Sequence, residues 1–373
     1  MRIAVFAVGF CLFAAPAFAQ DDCAGDPEFN AIAAAAIAEN GAPGAVVLAV
    51  RGDEVRLGAA GMRVIDGEDP VTICDLWHVG SNTKSMTALL VARLAERGVI
   101  SWDTSVGEVL GPHVEEMDPA YAGVNFRHLL SHQSGLDANI GTIGRLVLGA
   151  SQRDITGVRS LYAQLVLRPP PNTAPGEGFG YSNAGYVVAG AMLETVTGES
   201  WEALMQREVF DPLGLESAGF GAPGSPEAVD QPRGHRPGPF GAGLNAVEPG
   251  PGADNIPAMG PAGTVHISMP DFARYMQLHI DGARGEDGEY LSAESWAVLH
   301  TPPFEADYAM GIGVNSEESR MGHAGSNTMW MMEFSLRPGE DEAVAYAFND
   351  GRASTVRGAG LQAMEEALEA MAD

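Results

Sequence analysis

Lysine is almost missing from this chain. Of its 21 basic residues 20 are arginine and one, Lys84, is lysine. Basic charge is scarce altogether: 49 acidic residues outweigh it and leave a formal net charge of −28. Such a surface repels phosphate backbones and anionic headgroups, which sets nucleic acid aside as a partner. It also suits a salty medium, where self-repulsion is screened. Long apolar runs are missing too. The N-terminus starts Met1-Arg2, runs apolar from Ile3 to Ala15 and closes on Ala17-Phe18-Ala19, the pattern of a cleaved leader, and no later stretch reaches the roughly 18 residues of a membrane helix. The expectation is a signal peptide over residues 1–19, cleavage after Ala19, and a periplasmic or secreted product without a stable membrane anchor. Cysteine occurs three times, and losing the leader removes Cys11. Cys23 and Cys74 remain, either as a disulfide in an oxidising compartment or as two buried thiols.

What is present is enough for a sizeable core. The 373 residues are 46% hydrophobic, which fits two domains or one large unit with an insertion. Phe29–Ala38 reads as a helix stopped at Asn40-Gly41, Gly44–Val50 as a buried strand, and the stretch from Val55 to Ala60 as its hairpin partner. Helical spacing runs from Ser81 to Arg97 with Gly98 as the stop, and again after Asn183 up to Gly198. Residues 221–263 are crowded with Gly and Pro, which predicts a long surface loop bordering a site, with no helix and no inner strand. Strands return at Tyr308–Val314, Trp330–Leu336 and Ala343–Phe348, before a last helix through Leu361, Met364 and Leu368. The order predicts an α/β (α+β) fold in which the two termini build one antiparallel sheet flanked by helices. The expected parts are a domain over 20–373, with sheet portions about 27–80 and 290–373 and a helical subdomain about 100–260.

The solitary lysine singles out a position. Drift toward arginine replaces lysine wherever only charge matters, but a guanidinium does not give up its proton and an ammonium can. Ser81 lies three residues before Lys84, so on a helix the two share a face and the amine can reach the hydroxyl. A neutral amine there takes the serine proton, and free N–H groups at the helix start favour a developing oxyanion. The blander reading makes Ser81 a cap and Lys84 an ordinary first-turn side chain.

Two further stretches carry chemistry. In Gly180-Tyr181-Ser182-Asn183, at a loop-to-helix corner, Tyr181 is a candidate acid or base if a cation stabilises its phenolate, and Asn183 offers a donor and an acceptor to an amide. In Gly322-His323-Ala324-Gly325 the glycine lets a substrate lie along a strand edge. A rival reading takes Gly180-Tyr181-Ser182-Asn183-Ala184 as a nucleophile elbow with Asp271 and His323, although the proline-rich stretch before it does not read as the buried strand an elbow needs. His128 and His132 share a spacing of four, but Leu129 stands where a zinc protease needs glutamate, so they read as loop-fixing residues.

Taken in order, Ser81-x-x-Lys84, Tyr181-x-Asn183 and His323-x-Gly325 resemble the three motifs of the serine β-lactamase and penicillin-recognising hydrolase superfamily. The likeness is to its class C and D-Ala-D-Ala carboxypeptidase branch with the related esterases. Leu129–Leu136, Asp211–Leu215 and Pro261-Ala262-Gly263 look like that branch's connecting segments. The resemblance implies Ser81 as nucleophile, Lys84 and Tyr181 sharing its proton, and Asn183 orienting a substrate amide. It also implies an oxyanion hole from the N–H groups of Ser81 and Ser326, and an acyl-enzyme released by water. His323, Ala324 and Gly325 stand where that pattern has Lys-Thr-Gly, so the cation and hydroxyl that hold a carboxylate are missing. A protonated His323 would stabilise phenolate at Tyr181. The expected activity is hydrolysis of a small-molecule ester, amide or peptide, with no metal and no organic cofactor. The alternatives are a non-catalytic ligand-binding scaffold and a true carboxypeptidase or β-lactamase.

Overall fold

The computed structural model describes residues 23–238 and 243–372, so the leader and the cleavage position at Ala19 lie outside the described residues. Six antiparallel strands form the main sheet: β1 Gly44–Arg51, β2 Glu54–Gly61, β3 Gly313–Asn315, β4 Arg320–Ser326, β5 Met331–Arg337 and β6 Glu342–Phe348. Their spatial order is β2-β1-β6-β5-β4-β3, so the N-terminal hairpin joins the C-terminal meander where β1 meets β6, with Ala45 opposite Phe348. β1 is apolar throughout because both of its faces are covered. Ala45, Val47 and Ala49 pack in one core with helices of the two termini, while Val46, Leu48 and Val50 belong to the other.

The six longest helices are α1 Pro27–Asn40, α2 Thr83–Glu96, α3 Ile155–Val166, α4 Asn183–Thr197, α5 Met269–Ala283 and α6 Ala353–Ala370. Their ends follow local chemistry. Asp26 caps α1 by accepting from the N–H groups of Glu28 and Phe29, Ser182 caps α4 by accepting from Gly185, and Gly41 and Gly198 end these two helices in the left-handed region. α1 and α6 cover one face of the sheet. α2 lies on the other side inside the larger core, buried along most of its length. Cys23 and Cys74 are joined, with Cα atoms 5.4 Å apart, which ties the chain before α1 to the segment leading into Ser81.

Two expectations need correction. The strand expected over Tyr308–Val314 shrinks to Gly313–Asn315, because the chain turns back at Ile312, whose carbonyl accepts from Ala309 N–H, and lays Gly311 against the backbone of α2. Residues 221–263 also hold more structure than a loop. A ribbon pairs Gly234–Pro237 with Leu244–Val247, and Gly260–Gly263 forms a helical turn. Proline is tolerated there because Pro261 sits in the first turn, where no N–H is needed, and Pro237 ends its strand.

Candidate active site

Ser81 sits on a tight turn, Gly80–Asn82, that runs directly into α2 at Thr83. The turn is pressed onto the end of β4. Gly80 has φ +54°, and a Cβ on it would lie 2.4 Å from the backbone nitrogen of Ser326, while a Cβ on Gly325 would lie 2.8 Å from that of Ser81. Only glycine at both positions lets the turn and the strand end pack this closely.

Lys84, one turn into the same segment, has no exposed surface. Its Nζ stands 3.1 Å from Ser81 Oγ and donates to the carbonyl of Ala262 at 2.7 Å. The rings of Tyr181 and Tyr186 close over it, with centroids 5.0 and 5.4 Å away. Burial pushes its pKa well below the usual lysine range, and among the described residues no carboxylate is bonded to it to restore the charge. The amine therefore lies within reach of the serine hydroxyl, in surroundings that disfavour its charge.

Tyr181 borders Ser81, half-covered at 37% exposure. Burial raises its phenol to about 12, and a hydrogen bond with Ser81 works weakly the other way. His323 supplies no cation to reverse this. Its imidazole is pushed down to about 3, chiefly by burial, and its Nδ1 lies 3.3 Å from Asn82 Oδ1. Burial thus works against both the phenolate at Tyr181 and the protonated form of His323. Asn183 is the first residue of α4, and its amide donates to Asn139 Oδ1 at 3.0 Å. Among the described hydrogen bonds none joins it to Ser81 or Lys84. Ala324 lies on β4 opposite Glu333, next to His323.

The elbow reading does not survive. Ser182 Oγ is spent on capping α4 and on the carbonyl of Asp137, and Asp271 holds Ser217 and Arg274. His128 lies not in a loop but in the short helix Phe126–Leu130, where its Nδ1 meets the capping Asn125 at 2.6 Å. His132 does more than the sequence foretold: its Nδ1 accepts from Ser182 N–H at 3.0 Å and its ring lies 4.3 Å from that of Tyr181, so it shelves the tyrosine. Asn82 was missed as well, although it bridges the carbonyl of Met332 and His323. Its place inside Ser81-x-x-Lys84 was the available signal.

The family model described as Beta-lactamase matches residues 29–369. Penicillin-binding protein 4 of Amycolatopsis lactamdurans is 30% identical over 61% of this chain and 57% of its own length. Esterase EstB of Burkholderia gladioli is 30% identical over 55% of the chain and 54% of its own. The chain spans only about half the length of such curated relatives. Among solved structures, the octameric penicillin-binding protein homologue from Pyrococcus abyssi superposes with a TM-score of 0.68 at 25% identity, over 84% of this chain and 71% of that one. The D-amino acid amidase from Ochrobactrum anthropi SV3, complexed with L-phenylalanine amide, shares the fold with a TM-score of 0.71 at 20% identity, over 92% and 97%.

Proposed function

The chain belongs to the beta-lactamase family, and from that premise we propose that it is a serine hydrolase that opens an uncharged ester or amide through an acyl-enzyme on Ser81. One observation carries the proposal: a fully buried lysine amine 3.1 Å from the serine oxygen, with no acid beside it. Ser81 Oγ bonds to the carbonyl carbon while its proton passes to Lys84. The oxyanion is met by the N–H groups of Ser81 and Ser326. As the carbonyl re-forms, the bond to the alcohol or amine breaks, and that leaving group takes a proton from Tyr181, which Lys84 replenishes. Water then attacks the acyl-enzyme by the same route and restores Ser81. Asn183 and the β4 edge at His323–Gly325 would orient the acyl part.

The substrate class follows from charge. Burial pushes both Lys84 and His323 away from the charged form, which disfavours either as a cation for a carboxylate. An apolar ring lies beside the site, with Phe179 half-exposed and packed against His132 and Tyr308. These features favour an esterase-like or amidase-like activity, as in the esterase among its relatives, over a D-Ala-D-Ala carboxypeptidase, a β-lactamase or a non-catalytic scaffold. Export is part of the same proposal, supported by the leader-like N-terminus and by a disulfide of the kind that persists outside the cytoplasm.

The test is a chromogenic ester assay on wild type and Ser81→Ala, with intact mass after a fluorophosphonate and, separately, a penicillin. Wild type is expected to turn the ester over and gain one phosphonyl group as Ser81 Oγ bonds phosphorus and fluoride leaves. Ser81→Ala should do neither. Equal rates in the two proteins would return the chain to the scaffold reading.

A further inference from the structure

Behind the reactive turn lies a buried histidine that the proposed chemistry does not use. His78, in the strand Leu76–His78 that leads into Ser81, has a fully covered side chain stacked on Trp330 with ring centroids 5.6 Å apart. Its Nδ1 accepts from Gly80 N–H at 3.1 Å, and its Nε2 donates to Asp254 Oδ1 at 2.7 Å. The bonds fix the tautomer, because an Nδ1 that accepts carries no proton and the carboxylate takes the hydrogen on Nε2.

Asp254 gathers more than the histidine. The same Oδ1 accepts from the backbone N–H of Asn255 at 2.6 Å and stands 3.4 Å from the amide of Asn327, the residue after Ser326. Asn255 in turn donates from its side chain to the carbonyl of Gly263 at 2.7 Å. Gly263 follows Ala262, whose carbonyl holds Lys84. One Asp-Asn pair in the Gly- and Pro-rich segment is thereby tied to the nucleophile turn through His78, to the lysine's anchor through Gly263, and to the end of β4 through Asn327.

We propose that Asp254 and Asn255, with His78 as the relay to Gly80, are positioning residues that hold the serine turn, the lysine anchor and the Ser326 N–H in mutual register for attack. They touch neither the substrate nor the reacting atoms. The left-handed Gly80 needs such a hold, since a turn free to relax would carry Ser81 N–H away from Ser326. The inference rests on the reading of Ser81 as nucleophile and adds to it what aligns the nucleophile.

The experiment is the rate of Ser81 labelling by a fluorophosphonate, as a function of probe concentration, on the full chain. Labelling of wild type tests the nucleophile itself, so a wild type that is never labelled defeats that reading and this inference with it. Given labelled wild type, Asp254→Ala should lower the maximal labelling rate at least about tenfold and leave the half-saturating concentration within about twofold, because alignment rather than binding is lost. Asp254→Asn, whose amide oxygen still accepts from His78, should recover most of the rate. His78→Phe keeps the ring on Trp330 and should lose as much as Asp254→Ala, with no further loss when the two are combined. Asn255→Ala, which removes one part-buried side-chain bond in the same segment, gives an independent reading should Asp254→Ala fail to fold, and is also expected to slow labelling. Native circular dichroism with wild-type labelling rates in His78→Phe and Asn255→Ala would overturn the proposal.

Discussion

At Lys84, burial decides the chemistry. An ammonium on the surface would be protonated at any working pH, whereas this amine is cut off from water and has only a carbonyl and a hydroxyl as partners. Desolvation lowers its pKa from the usual value near 10.5, so the amine carries a proton only at lower pH, and the rising limb of kcat/KM should fall well below that value. A limb centred at the ordinary lysine value would refute the neutral base. Lys84→Arg keeps the charge and removes the ability to accept a proton; ester turnover should fall about 10²–10⁴-fold. Lys84→Met, which fits the apolar cover without a buried charge, should fall equally while melting close to wild type. Near-normal turnover in either variant would end the proposed role.

Elements matter here through how closely their backbones approach. β4 meets the serine turn at Gly325, where a Cβ would stand 2.1 Å from the carbonyl of Val79 and 2.8 Å from Ser81 N. Gly325→Ala must therefore push the turn away from the strand. It should cost about 1–3 kcal/mol in a denaturant titration, and it should abolish most labelling of Ser81. A stable variant labelled at the wild-type rate would show that the strand and turn need not touch. A second element pair should contribute to acid sensitivity. His279 on α5 and His300, at the end of helix Ala293–His300, lie side by side with ring nitrogens 3.0 Å apart. Burial holds both below the usual histidine range, His300 down to about 4. An unfolded histidine takes its proton near 6.5. Across the interval from there down to about 4 the unfolded chain binds protons that the native pair refuses, so stability is fully present above this window and drains away as pH falls through it. Melting temperature should drop less steeply between pH 7 and 4.5 in His300→Gln than in wild type, and parallel slopes would argue against the pair.

The molecule as a whole is closed by long-range ties. β1 pairs with β6 across nearly the whole sequence, and the Cys23–Cys74 bond fastens α1's approach to the strand that presents Ser81. With the cysteines 51 positions apart, the chain-entropy model puts the bond at about 4 kcal/mol. Cys74→Ser should lower the unfolding midpoint accordingly, measured by urea titration with and without reductant. A midpoint unchanged by both mutation and reduction would mean that the bond adds nothing.

Much of this architecture was legible in the amino acids. Apolar runs and glycine stops marked β1, α1, α2 and α4, because strands buried on two faces and helices ending in left-handed residues leave local traces. The Ser81–Lys84 pair was legible for the same reason: three residues of helical rise bring two side chains together whatever else the chain does. Three things were decided by tertiary structure alone. The burial that lowers the pKa values of Lys84 and His323 depends on which distant segments exclude water from them, and no local pattern encodes that. The shelf under Tyr181 needs His132, about fifty positions away, and the alignment of the serine turn runs through Asp254 in a stretch that reads as irregular loop. Hydrogen bonds between such segments exist only once the sheet and the inserted helices have packed, since the free energy that holds them is the burial itself.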